Sequence, residues 1–112
     1  MKKVEAIIRT SKFEQVMEAL TEAGVIFLSF YDVKGHGLEK EYQTYRGTTY
    51  DTGYIPRTKL EIVISDDYLE KTVDTLLKTG KTGKVGDGKI FVSTIDEVFR
   101  IRNGERGTDA IN

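Results

Sequence analysis

The sequence has 112 residues, enough for one hydrophobic core, so we predict a single domain over residues 1–112. Hydrophobic residues make up 38% and charged residues 31% of the chain, as in a globular protein. The 17 Lys and Arg nearly cancel the 18 Asp and Glu, which argues against general binding to nucleic acid or to an anionic membrane. The composition also predicts no direct membrane insertion. The lack of cysteine excludes disulfides and thiol catalysis. No leader-like apolar run opens the chain, so we expect a cytoplasmic location.

The first residues predict a strand followed by a helix. Residues 2–9 alternate apolar and polar side chains, as in a largely buried strand. Ser11 and Glu14 have the spacing of a capping box, and apolar residues then recur at helical intervals as far as Leu20. Gly24 is the residue type that most easily ends a helix in a left-handed conformation.

The rest of the chain completes a mixed fold. Residues 25–34 and 59–64 predict two further strands, and residues 89–93 predict a fourth. Asp67 and Glu70 indicate a second capping box, which would begin an amphipathic helix that ends near Gly80. Residues 95–112 form a C-terminal tail. This order predicts an α+β, ferredoxin-like βαββαβ fold with an antiparallel sheet.

The face of the sheet that the helices leave open also carries apolar residues. These are Ile7, Phe27, Val63 and Phe91. We therefore expect a second copy of the chain to cover this face.

A segment between strands 2 and 3, here called the long loop (residues 35–57), has no sustained period. It contains four glycines and four of the six tyrosines, and connections of this length are usually functional. The segment therefore predicts a contact surface for another protein. His36 with Glu39 and Glu41 has the donor types of a metal site at loose spacing, and we favour a solvated loop there.

The glycine loop (residues 82–89) predicts an anion site. Its glycines allow backbone N–H groups to approach an anion, and Lys84 and Lys89 supply positive charge. The motif contains most of a Walker A pattern, but Ile90 stands where Ser or Thr is needed and a strand follows instead of a helix. A tight turn that uses glycine for geometry alone is the alternative.

The tail contains a second candidate, Arg100-Ile101-Arg102. An extended backbone would send both guanidinium groups to one face, which suits a polyphosphate. A solvated, charged edge is the alternative. His36 is the only imidazole, so acid–base catalysis has few candidates and we expect no enzyme.

Taken together, these segments resemble the PII nitrogen-regulatory proteins over nearly the whole chain. The resemblance rests on residues 2–9 (KKVEAIIR), 33–37 (VKGHG), 45–50 (YRGTTY), 82–92 (TGKVGDGKIFV) and 100–105 (RIRNGE). It implies a homotrimer that binds ATP or ADP in clefts between subunits and regulates a partner, such as an ammonium transporter or a metabolic enzyme, through the long loop. It leaves the role of magnesium open.

The resemblance also implies roles for particular residues. Nucleotide-binding positions are Ile7, Ser29, Gly35, Gly37, Leu38, Glu61, Val63, Gly86, Asp87, Gly88, Lys89, Arg100 and Arg102, with both arginines reaching the phosphates from the neighbouring subunit. Arg46 and Tyr50 match the partner-contact and modification positions of the long loop.

The long loop departs from the family pattern. Leu38-Glu39 replaces an Arg-Gln pair, and Arg57 replaces a lysine, at positions that serve 2-oxoglutarate and magnesium in the family. A carboxylate at Glu39 would repel a dianionic ligand, so we predict weak or absent 2-oxoglutarate binding.

Two other functions remain open at this stage. An acylphosphatase-like enzyme would share the order of strands and helices, but its phosphate loop follows the first strand, where residues 9–12 contain no glycine. A small-metabolite regulatory domain would bind neither ATP nor ADP.

Overall fold

A computed structural model describes residues 1–36, 42–45, 48–51 and 53–111. The strands are β1 (Lys2–Ile8), β2 (Ser29–Gly35), β3 (Tyr42–Tyr45), β4 (Thr48–Asp51), β5 (Ile55–Ile64) and β6 (Lys89–Thr94), and the α-helices are α1 (Phe13–Glu22) and α2 (Leu69–Thr79). Four strands form one sheet in the order β2-β5-β1-β6, with every neighbouring pair antiparallel. The predicted α+β, ferredoxin-like fold is therefore confirmed.

The core lies between one face of this sheet and both helices. Alternate residues of β1 and β5 point into it, because successive side chains of a strand face opposite ways. The buried cluster comprises Val4, Ala6, Ile8, Val16, Leu20, Val25, Leu60, Ile62, Ile64 and Leu76. The two helices each contribute an apolar stripe to this cluster, as the helical spacing predicted.

Both helices begin differently from the prediction. Ser11 lies in a 3₁₀ turn (Thr10–Lys12) and Asp67 lies in another (Asp66–Tyr68), each directly before an α-helix. Neither helix has a side-chain cap bond at its first residue. The capping-box predictions are therefore wrong, because the chain enters each helix through a turn held by backbone hydrogen bonds, such as Lys12 N–H to the Arg9 carbonyl at 2.9 Å.

Strand boundaries also differ. Residues 25–28 lie outside β2, and β5 begins at Ile55, four residues before the predicted strand. Gly24 has φ +94°, as its predicted role at the helix end requires. The long loop contains regular structure that the sequence did not indicate, because β3 and β4 pair as a separate antiparallel sheet.

The sheet face opposite the helices is largely polar at its centre, which corrects the expectation of an apolar surface. Glu5 pairs with Lys3 at 3.4 Å and with Lys59 at 3.6 Å, and the Tyr31 hydroxyl donates to Glu61 at 2.9 Å. Tyr31 and then Glu5 raise the pKa of Lys59, since both favour its charged form.

The predicted apolar residues lie around these charged groups. Ile7 and Val63 are half-buried, Phe91 is exposed, and Phe27 lies outside any strand with its side chain 72% exposed. In the described ranges, no helix has the length and apolar character needed to span a membrane.

Candidate anion-binding site

The glycine loop connects α2 to β6 and depends on glycine geometry at three positions. Gly83, Gly86 and Gly88 all have φ between 88° and 101°, a region that other residues rarely adopt. Gly88 also lies against β1, since a Cβ atom there would be 1.7 Å from the carbonyl oxygen of Ile7. A strand follows the loop directly, so the structure confirms that this is no Walker A motif.

The Asp87 carboxylate organises the loop from inside. Its Oδ2 accepts hydrogen bonds from the backbone N–H groups of Thr82 and Gly83, each at 2.8 Å. Its Oδ1 accepts from the Thr82 hydroxyl and from Arg9 Nε, the latter at 2.9 Å. Thr82 first and Arg9 second hold the pKa of Asp87 well below its usual range, because they stabilise the carboxylate.

Two arginines hold the other side of the loop through backbone oxygens. Arg9 Nη2 donates to the Val85 carbonyl at 2.9 Å. Arg57 donates to the Gly86 carbonyl from Nη2 at 3.0 Å and from Nε at 3.2 Å, and its Nη1 donates to the Pro56 carbonyl at 2.8 Å. Arg57 is only 9% exposed, so these bonds are largely shielded from water. The loop is thus tied to the end of β1 and to β5.

These carbonyl contacts orient the neighbouring N–H groups. The C=O and N–H of one trans peptide point in opposite directions. Because the Val85 and Gly86 oxygens face the arginines, the N–H groups of Gly86 and Asp87 point away from them. Over the described ranges, no hydrogen-bond acceptor meets these two N–H groups. Two adjacent free donors of this kind suit an anionic oxygen.

A cleft of about 550 Å³ lies beside the loop. It is lined by Ile7, Gly35, His36, Ile55, Arg57, Lys84, Val85, Gly86, Asp87, Gly88, Lys89 and Phe91. Among the described residues, its charged side chains are three cations, Arg57, Lys84 and Lys89, and the Asp87 carboxylate, which the loop itself already binds. The cleft therefore combines apolar walls with a net positive end.

A second group of predicted residues lies elsewhere in the sheet. Ser29 is paired with Glu61 at one end of β2, whereas Gly35 is paired with Ile55 at the other. Gly35 lies six positions after Ser29 along the strand, a span of about 20 Å. One chain therefore does not bring Ser29, Glu61 and Val63 to the cleft that contains Gly35.

The tail arginines do not adopt the extended arrangement expected of them. Arg100 N–H donates to the Glu105 carbonyl at 2.8 Å and Gly104 N–H donates to the Arg100 carbonyl at 2.8 Å, which closes a turn. The Arg100 side chain bonds to the Glu105 carboxylate and to the Asp109 carbonyl. Arg102 lies within the turn and is exposed. The extended-strand prediction is wrong because these backbone bonds fold the chain back.

Several predicted residues belong to the long loop. Gly37, Leu38, Glu39 and Arg46 lie outside the described residues, as does the side chain of Tyr50, whose backbone is part of β4. Within the ranges that are described, no group of three or more His, Asp or Glu side chains is placed to hold a metal ion.

Arg9 is the principal residue that the sequence analysis missed. Its sequence pattern predicts only the end of a strand, yet its side chain contacts Asp87, 78 positions later. No local pattern indicates a contact over that separation. Ile55 was also missed, because it was assigned to the long loop rather than to β5.

Comparison with known proteins places these features in context. A family model described as "Nitrogen regulatory protein P-II" matches residues 1–105. The protein "Nitrogen regulatory protein P-II" of Bradyrhizobium diazoefficiens is 47% identical over 112 residues, which cover 99% of this chain and all of the relative. "Nitrogen regulatory protein P-II 1" of Escherichia coli K12 is 46% identical with the same coverage.

Proposed function

The chain belongs to the P-II family of nitrogen regulatory proteins, and we propose that it binds ATP or ADP between the subunits of a homotrimer and signals to a partner protein through the long loop. Its matched relatives are named as regulatory proteins, so a role in nitrogen regulation is supported. The proposal adds the ligand, the assembly and the route of the signal.

The observation that carries the proposal is the N–H pair of Gly86 and Asp87, which no described residue accepts from, beside a cationic cleft. Lys84 and Lys89 add charge that a chain of phosphates neutralises. The apolar part of the same cleft, at Ile7 and Phe91, suits the flat face of a base. A nucleotide with two or three phosphates would place its phosphates at the cationic end of the cleft and its base at the apolar end.

The separation of the site residues supports an assembly of several copies. Ser29 and Glu61 lie about 20 Å along the sheet from the end that holds Gly35, and Val63 lies two residues beyond Glu61. A cleft between two copies can receive the glycine loop from one copy and the Glu61 end from the next. The exposed Arg102 would reach the phosphates from that second copy, whereas the Arg100 guanidinium already bonds to Glu105 and to the Asp109 carbonyl. Head-to-tail contacts of this type form a closed ring when the rotation between successive copies closes, as a rotation of one third of a turn does in a trimer.

The signal would pass through the base of the long loop. Gly35 and His36, the first two residues of the long loop, line the cleft. A nucleotide that contacts these two residues differently in its ATP and ADP forms would shift the populations of loop conformations. Arg46 and Tyr50 would then contact a partner, such as an ammonium transporter or a metabolic enzyme.

The effector part of the proposal is negative. Arg57, at a position expected to meet 2-oxoglutarate, uses its guanidinium to hold the Gly86 and Pro56 carbonyls. Leu38 supplies no charge to offset Glu39. We infer weak or absent 2-oxoglutarate binding, and a regulatory protein rather than an enzyme.

Calorimetry tests the ligand. ATP, ADP and AMP are titrated with and without magnesium and 2-oxoglutarate, and light scattering after size exclusion gives the mass of the assembly. The expected result is binding of ATP and ADP by a trimer, with AMP weaker because it reaches fewer loop donors. A protein that stays monomeric, or that binds none of the three nucleotides, would overturn the proposal.

A pull-down tests the partner. The immobilised protein is incubated with cell extract containing either ATP or ADP, and retained proteins are identified by mass spectrometry. Retention that changes with the nucleotide supports signalling through the long loop, whereas identical retention in both conditions refutes it. An Arg46→Ala variant that retains the same proteins as the native chain would exclude Arg46 from the contact.

A further inference from the structure

We propose that Arg9 is a positioning residue for the anion site: it shapes the glycine loop and does not itself bind the ligand. This inference rests on the proposed function for its ligand and on the contacts of one side chain for its mechanism. Arg9 directly follows β1, opposite the loop.

The Arg9 guanidinium joins two parts of the loop at once. Nε donates to Asp87 Oδ1 at 2.9 Å, and Nη2 donates to the Val85 carbonyl at 2.9 Å. A planar fork with several fixed N–H directions can hold two acceptors in a set geometry. The contact therefore fixes the peptide between Val85 and Gly86, whose N–H is one of the two free donors.

The charge of Arg9 is already matched within the protein. Its partner Asp87 is an ionised carboxylate, and the Arg9 side chain is only 17% exposed. A guanidinium engaged in this way has little left to offer a phosphate. Its effect on binding must then pass through the loop.

The same unit extends to the other side of the loop. Asp87 receives Arg9 on Oδ1 and the backbone N–H groups of Thr82 and Gly83 on Oδ2. Removal of Arg9 would leave the Asp87 carboxylate without its cationic partner near the incoming phosphates. Removal of the Asp87 charge would weaken the same bond to Arg9, because an amide oxygen accepts less strongly than a carboxylate. Arg9 and Asp87 are therefore expected to hold the glycine loop together, so that loss of either residue has the same effect.

The test measures ATP and ADP affinity in four proteins, the native chain, Arg9→Met, Asp87→Asn and the double variant. We expect each single change to weaken binding by roughly ten- to a hundredfold, the range for hydrogen bonds to charged groups. The double variant is expected to lose little more than either single variant, because interacting residues are not additive. Losses that multiply would mean independent roles and would overturn the proposal.

Arg9→Lys separates charge from geometry. Lysine keeps the positive charge but cannot hold the carboxylate and the carbonyl in the same fork. We expect the ATP and ADP affinities of Arg9→Lys to be close to those of Arg9→Met. Near-native affinity in Arg9→Lys would show that charge alone matters and would refute the positioning role.

A readout without nucleotide keeps the inference separate from the proposed function. In amide NMR spectra of the unliganded protein, Arg9→Met is expected to move the Gly86 and Gly88 resonances while those of α1 stay in place. Arg106→Met is the matched control, because Arg106 also pairs with a carboxylate, Glu97, at 2.9 Å, but in the tail.

The outcomes then divide cleanly. Unmoved Gly86 and Gly88 signals in Arg9→Met would refute the positioning role even if ATP binds. Moved signals in a protein that binds no nucleotide would support the positioning role and sink the proposed function. If Arg9→Met does not fold, Asp87→Asn leaves both arginines in place and provides the same NMR test.

Discussion

The carbonyl oxygen of Ile7 lies only 1.7 Å from the point where a Cβ atom on Gly88 would stand. Gly88→Ala therefore has to displace backbone, whereas Gly83, with a similar φ of 88°, has open space around its Cβ position. We expect Gly83→Ala to cost about 1 kcal/mol from φ strain alone and Gly88→Ala to cost clearly more. Urea unfolding of both variants checks this.

The same pair of variants separates stability from binding. Gly88→Ala is also expected to lose ATP affinity, because the shift moves the loop away from β1. Equal unfolding free energies for the two alanine variants would contradict the close approach of Gly88 and Ile7.

Asp87→Asn is expected to change how stability depends on pH. The carboxyl pKa is lowered in the folded protein by Thr82 and Arg9, so the native state favours the ionised form. Its stabilising contribution is therefore present above the unfolded-state pKa of about 4 and is lost as pH falls through the lower folded pKa.

Urea unfolding measures the effect at several pH values from about 2.5 to about 7, a range that includes the unfolded-state pKa. The difference in unfolding free energy between the native protein and Asp87→Asn is expected to be largest near neutral pH and to become smaller in acid. Asp74→Asn, on an exposed position of α2, controls for the change in net charge. A gap that widens in acid would contradict the stated sign.

Thr72→Val is expected to stabilise the protein. Thr72 is fully buried on α2, and within the described ranges its hydroxyl has no hydrogen-bond partner. Valine has nearly the same shape and removes the unsatisfied group, a gain of roughly 1 kcal/mol. Thermal unfolding measures it, with Thr75→Val as the control, since the Thr75 hydroxyl donates to the Lys71 carbonyl at 2.7 Å. A lower melting temperature for Thr72→Val than for Thr75→Val would refute the prediction.

Glu39→Gln is expected to create or strengthen 2-oxoglutarate binding. The amide removes a negative charge that would face both the triphosphate and the dianionic ligand, while it keeps an oxygen for a cation. Calorimetry with magnesium and ATP present compares the variant with the native chain, and Glu41→Gln serves as the control. Strong 2-oxoglutarate binding by the native chain would remove the basis of this prediction.

The fold was predictable because its information is local and periodic. Alternation in β1 and in the second half of β5, together with helical spacing in α1 and α2, placed the elements that share the core. The errors occurred where tertiary contacts override a local motif. Ser11 and Asp67 matched a capping pattern, yet both lie in 3₁₀ turns before their helices.

The site was predictable only in part, for a related reason. Glycine spacing in residues 82–89 identified a loop suited to anions, but the roles of its residues depend on distant partners. The sequence predicts that Asp87 binds the ligand, whereas in the structure its carboxylate binds backbone N–H groups of the loop itself. Arg100 and Arg102 looked extended in sequence, whereas the bond from Arg100 to Glu105 folds that segment into a turn.

The wide spacing between Gly35 and Ser29 along β2 has a genetic consequence under the proposed assembly. A copy with Gly88→Ala keeps an intact Glu61 end, and a copy altered at Glu61 keeps an intact glycine loop. When the two variants are co-expressed, some mixed rings join the intact half of one to the intact half of the other. Two variants that each fail to bind nucleotide alone would therefore restore binding when they are expressed together. Two variants altered within a site formed by a single chain would not restore it.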